Sequence, residues 1–159
     1  MDNGWTFVRW LHLGGVAMWL GGMLFLGLVV IPVVRANGGI QASRALVTAV
    51  ARRFGIIGGG AYVLILVTGF GLLHHRGLSP SDLPDSEYGR RVLTKLILLL
   101  LVGVVVLAHS WIQGPRLRGA EEAGDAAAVR RWKMIGGLMD GFMLLATLAT
   151  LWLAASLVP

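Results

Sequence analysis

The side chains in this sequence that could bind a metal ion or move a proton stand in or beside long uncharged stretches. Ionisable groups are costly inside an apolar segment, so each one there is a candidate for a functional role. Imidazole nitrogen is a ligand for copper and for haem iron, and methionine thioether suits Cu(I). The candidates are His12, His74, His75, Lys95, His109 and Asp140.

Several other chemistries are excluded by what the sequence lacks. It has no cysteine, which excludes disulfides, thiolate metal sites and cysteine nucleophiles. It has no glycine-rich phosphate loop followed by lysine, and no His-Glu-x-x-His motif. The net charge of +6 does not indicate nucleic acid, because the basic residues flank apolar runs and form no separate basic face. We therefore expect no nucleic-acid partner.

Four long apolar runs must position the candidate residues. Only 14% of the residues are charged, whereas a soluble domain carries about 25%. A helix needs about 20 apolar residues to cross a bilayer, and a helix satisfies its own backbone there. We therefore predict an all-α fold, a single integral membrane four-helix bundle over residues 1–159 in contact with the lipid bilayer. The predicted helices cover about 5–34, 54–75, 93–113 and 134–157.

The distribution of lysine and arginine predicts the orientation. The first and third connections carry nine of these residues, and the N-terminal end with the second connection carries five. Basic residues stay on the cytoplasmic side, so both termini are predicted to be extracytoplasmic. Residues 41–53 have the pattern of a short basic amphipathic helix on the inner surface, which runs into the second membrane helix.

This orientation sorts the candidate residues by depth. His12 in the first helix and His74 and His75 at the end of the second are expected to meet near the outer face. Only one of the adjacent pair can face His12, because neighbours on a helix point about 100° apart. His109 and Asp140 are expected to share the inner level, where the carboxylate either orients the imidazole as a metal ligand or serves as a structural hydrogen-bond partner.

The first helix also carries two informative stripes. His12, Trp19 and Met23 fall on one face, which either lines a cofactor pocket or packs in the bundle with one hydrogen-bonded histidine. Both interpretations stay open. Glycine pairs repeat at seven residues on one side, which predicts close packing against another helix; they are Gly14-Gly15 and Gly21-Gly22.

Short motifs follow one another in order along the chain: Leu11-His12, Trp19-Leu20-Gly21-Gly22, Arg52-Arg53-Phe54, Val67-Thr68-Gly69, Tyr88-Gly89-Arg90 and Lys95-Leu96. This ordered set resembles a known family, the copper resistance protein D (CopD) domain. The resemblance covers nearly the whole chain. It implies a four-helix domain of the bacterial cytoplasmic (inner) membrane that acts in copper uptake or tolerance, with His12 as the site residue to carry over.

The end of the third helix departs from that family. CopD-like domains continue there into an Asn-Arg pair, whereas this chain reads Ala108-His109-Ser110-Trp111. A histidine in the first helix, the Lys95-Leu96 pair and a histidine closing the third helix are also similar to HemJ-type protoporphyrinogen oxidases. These are four-helix, haem-associated membrane proteins, so haem b stays beside copper as a candidate cofactor.

The first functional hypothesis is copper uptake or homeostasis. His12 would bind copper near the outer face together with His74 or His75, and the thioethers of Met18 and Met23 would extend the route.

Two other hypotheses stay open. The second is a b-type haem protein in electron transfer or oxidoreduction, with a further site at His109 and either Met139 or Met143. The third is a non-catalytic subunit of a larger membrane complex, or a homo-oligomer. We expect the chain not to be an enzyme on its own; if it is one, it is a haem-dependent oxidoreductase.

Overall fold

A computed structural model describes residues 3–37 and 44–156. Within these residues the chain is helical, with turns between the helices and no strand. Four helices in this described part of the chain are long and apolar enough to cross a membrane, which confirms the prediction of four membrane-crossing helices. A 3₁₀ turn at Pro80–Asp85 precedes the third. The helices are α1 (Asn3–Ala36), α2 (Arg44–His75), α3 (Glu87–Glu122) and α4 (Ala126–Ala155).

The helices extend beyond their apolar stretches. The predicted third helix, 93–113, begins earlier, at Glu87, because the Ser86 hydroxyl accepts a hydrogen bond from the Gly89 N–H at 2.9 Å. Helix α2 begins at Arg44, ten residues before the predicted start at residue 54, and is continuous through that residue. Residues 41–43 of the predicted amphipathic helix and residue 157 of the predicted fourth helix lie outside the described residues. The surface position of the amphipathic segment and the orientation of the termini stay predictions.

In the described residues, two of the helices have a widened turn shortly before a proline. In α1 the segment Leu26–Val30 is π-helical, and in α3 the segment His109–Gln113 is π-helical. Each begins six residues before a proline, Pro32 or Pro115. A proline ring clashes with the carbonyl four residues back in a regular helix, and the wider turn relieves that clash without ending the helix.

Contacts divide the chain into two compact units, Met1–Ser79 and Pro80–Pro159. In the first unit α1 packs closely against α2. A Cβ atom on Gly15 would lie 3.1 Å from Ile65, and one on Gly22 would overlap the ring of Phe54. Gly14 has open space instead. The prediction of close glycine packing is thus confirmed for one glycine of each pair.

In the second unit α3 packs against α4, and the 3₁₀ turn packs on the start of α3. Leu83 of that turn is fully buried, and its backbone lies so close to Gly89 that any Cβ there would overlap it. Arg90 donates to the Pro84 carbonyl at 3.3 Å. The Tyr88-Gly89-Arg90 motif therefore fixes this turn against α3.

Candidate metal site at His12

His12 contacts the Thr68-Gly69 pair of α2. The His12 Nδ1 atom lies 2.8 Å from the Thr68 hydroxyl oxygen. Thr68 is buried, with 7% of its surface exposed, while His12 is half-buried. A threonine inside a helix can reach the carbonyl four residues back, and Thr68 does so: its hydroxyl lies 2.5 Å from the Leu64 carbonyl oxygen.

These two distances assign the tautomer of His12. A carbonyl oxygen has no proton, so the single hydroxyl proton of Thr68 must be the one donated to Leu64. The Thr68 oxygen therefore accepts from His12, and the imidazole proton is on Nδ1. In the neutral ring the lone pair is then on Nε2. Metal-binding histidines commonly have this arrangement, in which one ring nitrogen donates to a fixed acceptor and the other binds the metal.

Gly69 provides the space for the His12 ring. A Cβ atom at this position would lie 3.3 Å from Cε1 and 3.8 Å from Nδ1 of His12. The shorter separation is tighter than an ordinary van der Waals contact, so a side chain at residue 69 would displace the imidazole. Within the motif Val67-Thr68-Gly69, Thr68 thus accepts a hydrogen bond from His12, and Gly69 leaves room for the His12 ring.

His75 lies further towards the end of the helix pair. Its ring stacks on Trp5, with centroids 4.0 Å apart and planes 12° apart. Trp5 precedes His12 by seven residues, and His75 follows Thr68 by seven, which is about 10 Å along a helix. The structure therefore places His12 and His75 at separate levels. His74 is exposed. Binding of copper by these residues stays a prediction.

The predicted stripe below His12 packs against aromatic rings. Trp19 is buried, 5.3 Å from the ring of Tyr62 and 6.3 Å from the ring of Phe54. Met23, on the same face, is half-buried. These contacts support the interpretation of the stripe as a helix-packing face at Trp19.

An apolar groove of about 410 Å³ opens between α1 and α2 beyond Trp19. Among the described residues, Arg53 is the one charged residue that lines the groove, and no histidine lines it. It therefore offers no axial imidazole to a haem. The other lining residues are Met18, Gly22, Phe25, Leu26, Ala49, Val50, Phe54 and Ile57.

His109 and Asp140 meet in the second unit. His109 Nε2 lies 3.5 Å from an Asp140 carboxylate oxygen, which confirms that they share a level. His109 opens the π-helical turn of α3, and Met143 is buried one turn after Asp140 in α4. A metal at His109 stays a prediction. Within residues 3–37 and 44–156 no three His, Asp or Glu side chains group as a metal cluster.

Three residues that contact His12 or join α3 to α4 could not be assigned these roles from the sequence. The sequence shows Thr68 and Gly69 as part of a motif, but it does not show that they contact His12. The signal for Thr68 was its position as a hydroxyl within a 22-residue uncharged run. The third, Gln113, is buried and donates from Nε2 to the Trp132 carbonyl at 2.9 Å. Gln113 lies in the π-helical turn, and the one sequence signal for that turn is Pro115.

Comparison with known proteins gives one family. The chain matches CopD, copper resistance protein D, over residues 48–157. That range includes Thr68-Gly69, Tyr88-Gly89-Arg90 and Lys95-Leu96 but not His12. No curated protein and no solved structure matches the chain. Because the match covers more than half of the chain, this multi-pass membrane protein belongs to the copper resistance protein D family.

Proposed function

We propose that this protein binds copper through Nε2 of His12 and passes the ion across the bacterial inner membrane. Membership of the copper resistance protein D family supports copper as the substrate. The observation that carries the site is the hydrogen bond from His12 Nδ1 to Thr68, which leaves the ring lone pair on Nε2. Imidazole nitrogen is a good copper ligand, and its position within a membrane helix makes His12 a functional candidate.

Passage requires a site that binds copper and also releases it. A site in which one oriented imidazole is the main ligand fits this requirement better than a rigid cage. His75, two helical turns nearer the end of α2, is proposed as the first contact for copper at the outer face. Met23 follows His12 by eleven residues on α1 and is proposed as a later thioether contact.

Binding is tested by loading the purified protein with copper and measuring the bound metal and the optical spectrum. We expect stoichiometric copper in a colourless Cu(I) form. The His12→Gln variant should bind at least about tenfold more weakly, as is usual when a metal site loses a ligand or its support. His109→Gln, which changes a histidine in the other unit, is the matched control and should retain copper binding.

Two outcomes would replace the proposal. A Soret band in the purified protein that disappears in His12→Gln would indicate haem b and an electron-transfer or oxidoreductase function. A purified protein that holds neither copper nor haem would favour a different function. If replacement of all four histidines then also leaves the assembly of a larger complex intact, the chain is a non-catalytic subunit.

A further inference from the structure

Two arginines of the second unit converge on one tryptophan. The guanidinium carbon of Arg116 lies 5.9 Å from the ring centre of Trp132, and that of Arg131 lies 6.0 Å from the same centre. Arg116 belongs to α3, whereas Arg131 and Trp132 belong to α4. The aromatic face attracts each cation, but the two positive charges near one ring repel each other.

The backbone of Trp132 is tied to α3 by a hydrogen bond. The buried amide of Gln113 donates to the Trp132 carbonyl at 2.9 Å, which ties this part of α4 to α3. Gly136 gives that amide its space, because a Cβ there would lie 2.8 Å from Gln113 Nε2. The two helices are therefore fixed to each other at the level of Trp132.

Within the described part of the chain, no acidic side chain forms an ion pair with either of the two arginines. Lys133, next to Trp132, lies 3.7 Å from a Glu121 carboxylate oxygen. No such ion pair joins Arg116 or Arg131 to an acidic side chain among residues 3–37 and 44–156. Both side chains are exposed. An anion bound near both groups would offset their repulsion, and guanidinium groups bind phosphate through paired hydrogen bonds.

The position of these arginines along their helices indicates where the anion comes from. The apolar run of α3 ends at Arg116, and that of α4 begins just after Lys133. Met134 and Leu138 follow Arg131 at three and seven residues, on the same helical face, and both are exposed. A phosphate at the arginines would thus continue into acyl chains along an apolar surface, and tryptophan is typical of headgroup depth.

We propose that Arg116, Arg131 and Trp132 form a binding site for the phosphate of an anionic phospholipid. The site is independent of the copper proposal, because it uses no residue of the His12 site. It lies at the end of α3 and α4 that the charge distribution predicts to be cytoplasmic, where anionic headgroups attract basic residues.

The test measures thermal unfolding of the purified, delipidated protein in a neutral detergent with added phosphatidylglycerol or phosphatidylcholine. Phosphatidylglycerol should raise the unfolding midpoint by at least about 3 °C more than phosphatidylcholine does, because a ligand of the folded state stabilises it. The double variant Arg116→Gln with Arg131→Gln should lose this difference. The control, Arg118→Gln with Arg130→Gln, removes the same charge from the same helices and should keep it.

Quenching of tryptophan fluorescence by phosphatidylglycerol with brominated acyl chains gives a second readout. If a double variant does not fold, the single variants Arg131→Gln and Arg130→Gln can be compared in this quenching measurement. Arg131→Gln should weaken quenching, and Arg130→Gln should not. Equal losses in the two double variants would indicate general electrostatic attraction and overturn the site. Equal stabilisation by inorganic phosphate at the same concentration would overturn the lipid as its ligand.

Discussion

Gly69 of α2 lies against the ring of His12 so closely that a Cβ atom there would come within 3.3 Å of Cε1. The adjacent Thr68 accepts the proton of His12 Nδ1. The Thr-Gly pair lies within the part of the chain that matches the CopD family, whereas His12 lies outside it. The contact therefore gives a physical role to two residues of the family match and connects them to the proposed copper ligand.

We expect Gly69→Ala to weaken copper binding severalfold while the protein stays folded. The added methyl group would push the imidazole away from its present position. The ring moves because the methyl group is attached to the backbone of α2, which is more rigid than a side chain. Gly71→Ala is the matched control, because a Cβ at residue 71 would meet the Trp5 ring at an ordinary 3.9 Å. Competition with a copper chelator measures both affinities, and equal affinities in the two variants would contradict the role of Gly69.

Replacement of Thr68 by valine should reduce copper affinity by about tenfold, the usual effect of removing a hydrogen bond that orients a metal-binding histidine. Valine has nearly the same shape but no hydroxyl to accept the Nδ1 proton. Serine keeps the hydroxyl, so Thr68→Ser should restore most of the affinity.

Thr150→Val provides the control for that substitution. Thr150 also donates to the carbonyl four residues back, that of Ala146 at 2.8 Å, but contacts no histidine among the described residues. A loss of affinity in Thr150→Val as large as in Thr68→Val would show that the effect comes from the helix backbone and not from His12.

Gly89→Ala should destabilise the protein by about 1–3 kcal/mol, the typical cost of overpacking. The new Cβ would overlap the backbone of Leu83, which cannot move aside as a flexible side chain can. Gly119→Ala, on the same helix with open space around its Cβ, should be neutral or stabilising because alanine favours helix. The midpoints of unfolding, measured by adding denaturant to each variant in detergent, compare the stability of the two variants. Similar midpoints would contradict the close contact at Gly89.

Gly136→Ala should also be destabilising, because its Cβ would lie 2.8 Å from Gln113 Nε2, and moving that buried amide would break its hydrogen bond to the Trp132 carbonyl. The variant Gln113→Ala removes the amide that the new Cβ would meet. Gly136→Ala should therefore lower the free energy of unfolding less in the Gln113→Ala background than in the unmodified protein. We expect a coupling energy of about 1 kcal/mol or more from the double-mutant cycle of unfolding free energies. Additive effects would show that the two residues do not compete for the same space.

The four helices could be predicted because charged residues separate apolar runs of membrane-crossing length. Their ends could not be predicted from hydropathy, since polar residues such as Glu87 and Glu122 continue the helices beyond the apolar part. Pro115 also conceals the continuity of α3 beyond residue 113, because the turn that accommodates this proline is π-helical. The first predicted helix, in contrast, already includes Pro32.

The level of His109 and Asp140 could be predicted from depth alone, because both lie a similar distance from the charged ends of α3 and α4. The partners of His12 could not. The register between α1 and α2 depends on close approaches at Gly15 and Gly22, which place His12 beside Thr68, about two turns from His75. A shift of one helical turn is within the error of a depth estimate from sequence, but it decides which side chains touch.

Copper uptake into proteoliposomes tests the central claim most directly. Vesicles that contain the purified protein should accumulate copper faster than protein-free vesicles. The His12→Gln variant, reconstituted to the same density, should lose most of this excess rate, while His109→Gln should retain it. Uptake by His12→Gln at the rate of the unmodified protein would contradict the assignment of His12 as the copper ligand on the transport path.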